Sequence, residues 1–164
     1  MSLFLSSTTN KVDKKGRVSV PSSFRAALQA NGGDDVHHGI VVFRSLQVDA
    51  LDACSLKHLD ILSASLERLS LTPEMYELIE TTIFGGSIQL QIDADGRIIL
   101  PEHFMEAVGI EDEATFVGRR RTFQIWNPKK FKAFENKSRE TVRSHNISLS
   151  KIIADASAIS GGDV

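Results

Sequence analysis

Two short stretches carry the residue types best able to do chemistry at a fixed spacing. Asp13-Lys14-Lys15-Gly16-Arg17 and Asp93-Ala94-Asp95-Gly96-Arg97 each set a carboxylate four residues ahead of a guanidinium, with a glycine between them. That pattern suits recognition better than bond-making. An arginine can fork onto guanine O6 and N7 or clamp a phosphate. The competing use of Arg17 is an ion pair to Asp13 that holds the turn. Arg97 has two such partners, Asp93 and Asp95, so internal pairing and DNA contact weigh about evenly there. The first loop, with Lys14 and Lys15, carries three positive charges, whereas the second carries one against two acids. Any phosphate contact should therefore be dominated by the first. Lys11 and Arg25 are further basic residues within reach of a phosphate backbone, where contacts add salt sensitivity without sequence information.

Other chemistries find little support. The chain lacks a P-loop, a dinucleotide glycine fingerprint, a nucleophile elbow and a paired-carboxylate signature, which argues against an enzyme. Asp93-Ala94-Asp95-Gly96 is not a calcium loop, because its glycine comes at the fourth position and the later ligands are missing. His37 and His38 are adjacent and poorly placed to share a metal, and no zinc spacing exists. We expect no metal, no cofactor and no small-molecule substrate. The single cysteine, Cys54, excludes a disulfide framework and reads as a small buried hydrophobe in a protein of the reducing cytosol. Trp126 reads as core, not as a stacking platform. Leu3-Phe4-Leu5 is too short for a signal peptide, and Ile40-Val41-Val42-Phe43 is a strand length, not a membrane span.

The two turns belong to a larger repeat. Residues 12–28 and 92–108 align without gaps at an offset of 80: Asp13 with Asp93, Gly16 with Gly96, Arg17 with Arg97, Pro21 with Pro101, Phe24 with Phe104. Apolar positions match as well, Val12 with Ile92, Val18 with Ile98, Val20 with Leu100 and Leu28 with Val108. Each copy reads as strand, turn, strand and short helix. Asp13 and Asp93 can bond the backbone two residues on, while Gly16 and Gly96 supply the positive φ that the reversal needs. Val18 and Val20 alternate with Ser19, giving one buried face; Ile98-Ile99-Leu100 suggests burial on both faces. Pro21 and Pro101 sit at or near the first helical turn, and Gly109 is a plausible helix stop.

A strand pair follows in each half. In the second half it is 114–118 and 122–126 around an Arg119-Arg120-Arg121 turn. In the first half it is 40–43 and a weaker stretch near Gln47-Val48. A helical stripe over 50–69 includes Leu51 and Cys54, Thr72-Pro73 restarts a helix, and Asn127-Pro128 opens another over 129–143. The domains are thus 1–83, a first repeat with a helical hairpin; 84–156, a second repeat with a C-terminal helix; and a flexible tail, 157–164.

With 41% apolar residues the 164-residue chain can bury a real core. Its net charge of −2 hides segregation. Residues 119–143 hold nine basic side chains against Glu135 and Glu140, and residues 49–80 hold seven acids against Lys57 and Arg68. Such a chain can present a local basic patch while other faces stay acidic.

The doubled Val-Asp-x-x-Gly-Arg-x-x-x-Pro pattern, followed by Phe123-Gln124-Ile125-Trp126, resembles the MraZ family of bacterial transcriptional regulators over nearly the whole chain, to about residue 155. The resemblance implies an α+β fold in which two tandem β-hairpin/short-helix repeats of one chain form an AbrB-like swapped-hairpin β-barrel with flanking helices. It also implies a ring-like homo-oligomer in the cytoplasm, associated with the nucleoid. The implied partner is double-stranded promoter DNA and the implied action is repression of the cell-division and cell-wall gene cluster. An AbrB-like antitoxin and an interaction scaffold that never touches DNA are the alternatives.

Overall fold

The computed structural model describes residues 2–32 and 39–161; His37 and His38 lie outside them. The chain divides after Lys130 into two compact units. The first carries every described strand: β1 (Ser7–Lys11), β2 (Arg17–Ser19), β3 (Ile40–Arg44), β4 (Leu51–Cys54), β5 (Ile88–Leu90), β6 (Arg97–Ile99), β7 (Glu113–Gly118) and β8 (Phe123–Trp126). Its helices are α1 (Ser22–Gly32), α2 (Leu56–Glu67), α3 (Pro73–Ile79), a π-helical turn at Glu80–Phe84, and α4 (Glu102–Val108). Across the boundary runs α5 (Pro128–Ser144), and the second unit ends with α6 (Leu149–Ser160). Residues 157–160 are thus the last turn of a helix, and 162–164 lie outside the described residues.

The fold is mixed α+β with antiparallel pairing throughout. Six strands form one open sheet in the order β1-β7-β8-β4-β3-β5, and β2 and β6 form a separate two-stranded ribbon. The pairing exchanges strands between the repeats. β1 pairs with β7, from the other half, in the register Ser7↔Val117 to Lys11↔Glu113. Its counterpart β5 pairs with β3, in the register Ile40↔Leu90 to Val42↔Ile88. At the centre of the sheet β4 meets its own repeat counterpart β8. The strand order is therefore symmetric about the β8–β4 pair, a pseudo-two-fold relation between the repeats.

One shared core explains why the halves intertwine. Val18, Val20, Ile98 and Leu100 from the ribbon region pack with Phe24 and Phe104 from the short helices and with Phe116, Phe123, Ile40 and Leu51 from the sheet. Phe4, Phe24 and Phe123 stack with centroids 5.0–5.5 Å apart, in the offset and edge arrangements that aromatic pairs favour. Trp126 is buried as expected, its Nε1 donating to Gln124 Oε1 at 3.0 Å.

Two expectations fail here. The strand expected near Gln47-Val48 is instead a turn, in which Ser45 Oγ accepts from the Gln47 and Val48 N–H groups at 3.3 Å. The strand lies later, at Leu51–Cys54, in residues assigned above to a helical stripe. Leu51, Ala53 and Cys54 are buried between β3 and β8. The helix starts only after Ser55, whose hydroxyl accepts from His58 N–H at 3.0 Å and so caps it. The second failure is Ile99. It stands 57% exposed while Ile98 and Leu100 are buried, so β6 alternates just as β2 does.

Capping sets several other boundaries where the sequence placed them. Thr72 caps α3, with Pro73 behind it. Asn127 accepts at its Oδ1 from Lys129 and Lys130 N–H, and its amide donates to Gly109 O at 2.6 Å. Gly109 ends α4 at φ +73°. Burial pushes the Cys54 thiol up to about 12, with Asp52 adding to the shift, as befits a buried hydrophobe. No helix among the described residues is long and apolar enough to cross a membrane.

Candidate nucleic-acid interface

Each Asp-x-x-Gly-Arg segment folds into the same turn. In the first, Gly16 N–H donates to Asp13 O at 3.0 Å and Asp13 N–H to Arg17 O at 3.0 Å. Asp13 Oδ1 accepts from both Lys15 and Arg17 N–H at 2.9 Å, and Gly16 has φ +84°. In the second turn Asp93 Oδ1 accepts from Asp95 and Arg97 N–H, again at 2.9 Å, and Gly96 has φ +78°. The carboxylate bonding and the glycine conformation are those the spacing predicted.

The turns also lock to each other. Leu100 N–H donates to Gly16 O at 2.8 Å, and Val20 N–H donates to Gly96 O at 2.9 Å. Between these bonds β2 and β6 pair in the register Arg17↔Ile99, Val18↔Ile98, Ser19↔Arg97. Val18 and Ile98 face the core. By strand alternation Arg17, Ser19, Arg97 and Ile99 share the outward face. Ser19 and Ile99 were not foreseen as members of this surface; only the register reveals them.

The two arginines are held differently. Arg17 Nε donates to Asp13 Oδ2 at 2.6 Å. One carboxylate oxygen therefore builds the turn and the other aims the guanidinium. Arg97 is drawn between two acids: its Nε lies 3.4 Å from Asp93 Oδ2, without hydrogen-bond geometry, and its Nη2 lies 3.2 Å from Asp95 Oδ2. Backbone N–H donation from Arg17, then its side chain, holds the Asp13 carboxyl below the usual carboxylate range. Asp93 is lowered in the same way, led by the N–H of Arg97.

The remaining candidates surround this ribbon. Lys14 and Lys15 are exposed at the tip of the first turn. Lys11 is exposed at the end of β1, opposite Glu113. Arg25 reaches from α1, its Nε donating to Val20 O at 3.2 Å. Among the described residues no group of three His, Cys, Asp or Glu side chains is placed to hold a metal.

Fold and site together define an internally duplicated, strand-exchanged chain that presents a two-stranded ribbon with a basic turn. The family model for MraZ, described as antitoxin-like, matches residues 83–148. A transcriptional regulator MraZ of Rickettsia felis is 37% identical over 149 residues, 91% of this chain and 97% of that protein. The protein of the same name from Rickettsia akari is 41% identical over 131 residues, 80% of this chain and 85% of the relative. The chain belongs to the MraZ family.

Proposed function

We propose that this chain is a sequence-specific regulator of transcription that binds double-stranded promoter DNA, with the β2–β6 ribbon as its reading surface. The observation that carries this reading is the register that sets Arg17 and Arg97 on one outward face, above turns whose first member adds Lys14 and Lys15. A two-stranded ribbon fits the major groove, where arginine can distinguish guanine. Arg17, Lys14 and Lys15 make the dominant contacts, Arg97 joins the same face, and Lys11 and Arg25 reach the flanking backbone. Asp13, Gly16, Asp93 and Gly96 shape the turns. The names of the relatives support the regulatory role and argue against an enzyme.

In this reading the ribbon closes over the sheet in an AbrB-like swapped-hairpin barrel, with 1–83 and 84–156 as its two repeats. The protein acts as a ring-like homo-oligomer in the cytoplasm, at the nucleoid. Each chain offers few basic contacts, and repeated DNA elements engaged by several copies raise the effective concentration of each contact. The target is the promoter of the cell-division and cell-wall gene cluster, which the protein represses. A toxin-binding role is favoured only by the antitoxin-like description of the family; the doubled motif and the length argue against it.

The test is binding of the purified protein to the DNA upstream of its own gene, against a scrambled duplex, over a salt series. Preference for the upstream DNA, with log affinity falling linearly in log salt, is expected. Equal affinity for both duplexes at every salt would contradict it.

A further inference from the structure

The two turns differ in charge, and the fold corrects the difference with a residue from the opposite repeat. Turn one, over residues 13–17, carries net +2, whereas residues 93–97 carry net −1. A second turn of that charge would repel a phosphate backbone laid along the ribbon. The guanidinium of Arg25, from the first repeat, packs on that turn at Gly96. A Cβ at Gly96 would lie 2.7 Å from Arg25 Cζ and 2.8 Å from its Nε and Nη1. The guanidinium thus occupies the space that the missing side chain leaves. Its Nε bond to Val20 O fixes it there, beside the rung where Val20 N–H donates to Gly96 O. The repeat equivalent of Arg25, at the offset of 80, is Met105, which packs against the core. At Gly16 the nearest atoms to a Cβ are instead those of the Leu100 backbone, its carbonyl oxygen at 2.5 Å.

We propose that Arg25 serves the second turn and not its own: it supplies from the first repeat the positive charge that Ala94 and Asp95 withhold, and so lets the Asp93–Arg97 turn lie against DNA phosphate. Arg25 becomes the electrostatic counterweight to Asp95. It rests on the DNA reading above, and it goes further by tying one basic residue energetically to the acidic loop of the other half.

The experiment is a double-mutant cycle on binding to the upstream duplex, with Arg25→Met, Asp95→Ala, the pair together, and Arg25→Lys as control. Thermal melting checks that each variant is folded. Arg25→Met should weaken binding several-fold at fixed salt and reduce the slope of log affinity on log salt by about one. In the Asp95→Ala background the same change should cost clearly less, because the acid it offsets is gone. Arg25→Lys should retain the salt slope. Equal losses in both backgrounds, or no loss in either, would overturn the assignment while leaving the DNA reading intact. Failure of the unaltered protein to bind the duplex would overturn both.

Discussion

At the scale of single residues, the division of labour within Asp13 matters most. Its Oδ1 holds two backbone N–H groups and its Oδ2 aims Arg17. Exposed ion pairs add little stability, so the pair's role is orientation. Arg17→Ala should lose discrimination between upstream and scrambled DNA, a bidentate arginine being worth about 1–3 kcal/mol of base selectivity. Arg17→Lys should keep the salt dependence and not restore selectivity, because a lysine lacks the fork; recovered selectivity would show that only charge is needed. The lowered carboxyls of Asp13 and Asp93 give a pH signature. Both groups hold their protons less tightly when folded, so their stabilisation is complete above the unfolded carboxyl range. It is lost as pH falls through the folded values. Melting temperature measured from about pH 5 to pH 2 should therefore drop more steeply for the unaltered protein than for Asp13→Asn/Asp93→Asn; parallel curves would refute this. Cys54, buried and pushed up to about 12, should resist a thiol reagent at neutral pH until the protein is unfolded.

At the scale of elements, the turns were legible because their requirements are local. A carboxylate bonding the next amides and a glycine at positive φ need no distant partner. The cost of violating them follows. Gly16→Ala would force φ +84° on a residue whose Cβ meets Leu100 O at 2.5 Å, and should destabilise by about 1–3 kcal/mol in chemical denaturation. Ser55→Ala, which removes a cap, should cost about 1 kcal/mol; a loss as large as that of Gly16→Ala would show that the turn is not under special constraint. What the sequence hid depends on distant partners. Leu51 and Cys54 fit a helical stripe, and only pairing with β3 and β8 makes them strand. Ile99 reads as core until the β2–β6 register turns it outward. Arg25 looks like a helix-surface cation until Gly96 is found beneath it.

At the scale of the whole molecule, the repeat foretold two similar halves, and the pairing gives each an edge strand from the other. The ladder partner of β1 is β7, and that of β5 is β3. A fragment of residues 1–83 should therefore be unfolded by circular dichroism alone and regain strand signal when mixed with 84–156; a stable, cooperative fold of 1–83 by itself would contradict strand exchange. Duplication within one chain also lets the halves diverge, with Lys14 and Lys15 standing in the first turn where Ala94 and Asp95 stand in the second. In the proposed reading, that divergence makes the first turn the decisive one for DNA. The most direct measurement is upstream-DNA binding by Lys14→Ala/Lys15→Ala/Arg17→Ala beside the unaltered protein, with molecular mass in solution recorded for both. Loss of specific, salt-sensitive binding at unchanged mass is the predicted result. Undiminished binding by the variant would place the interface elsewhere and contradict the ribbon as the reading surface.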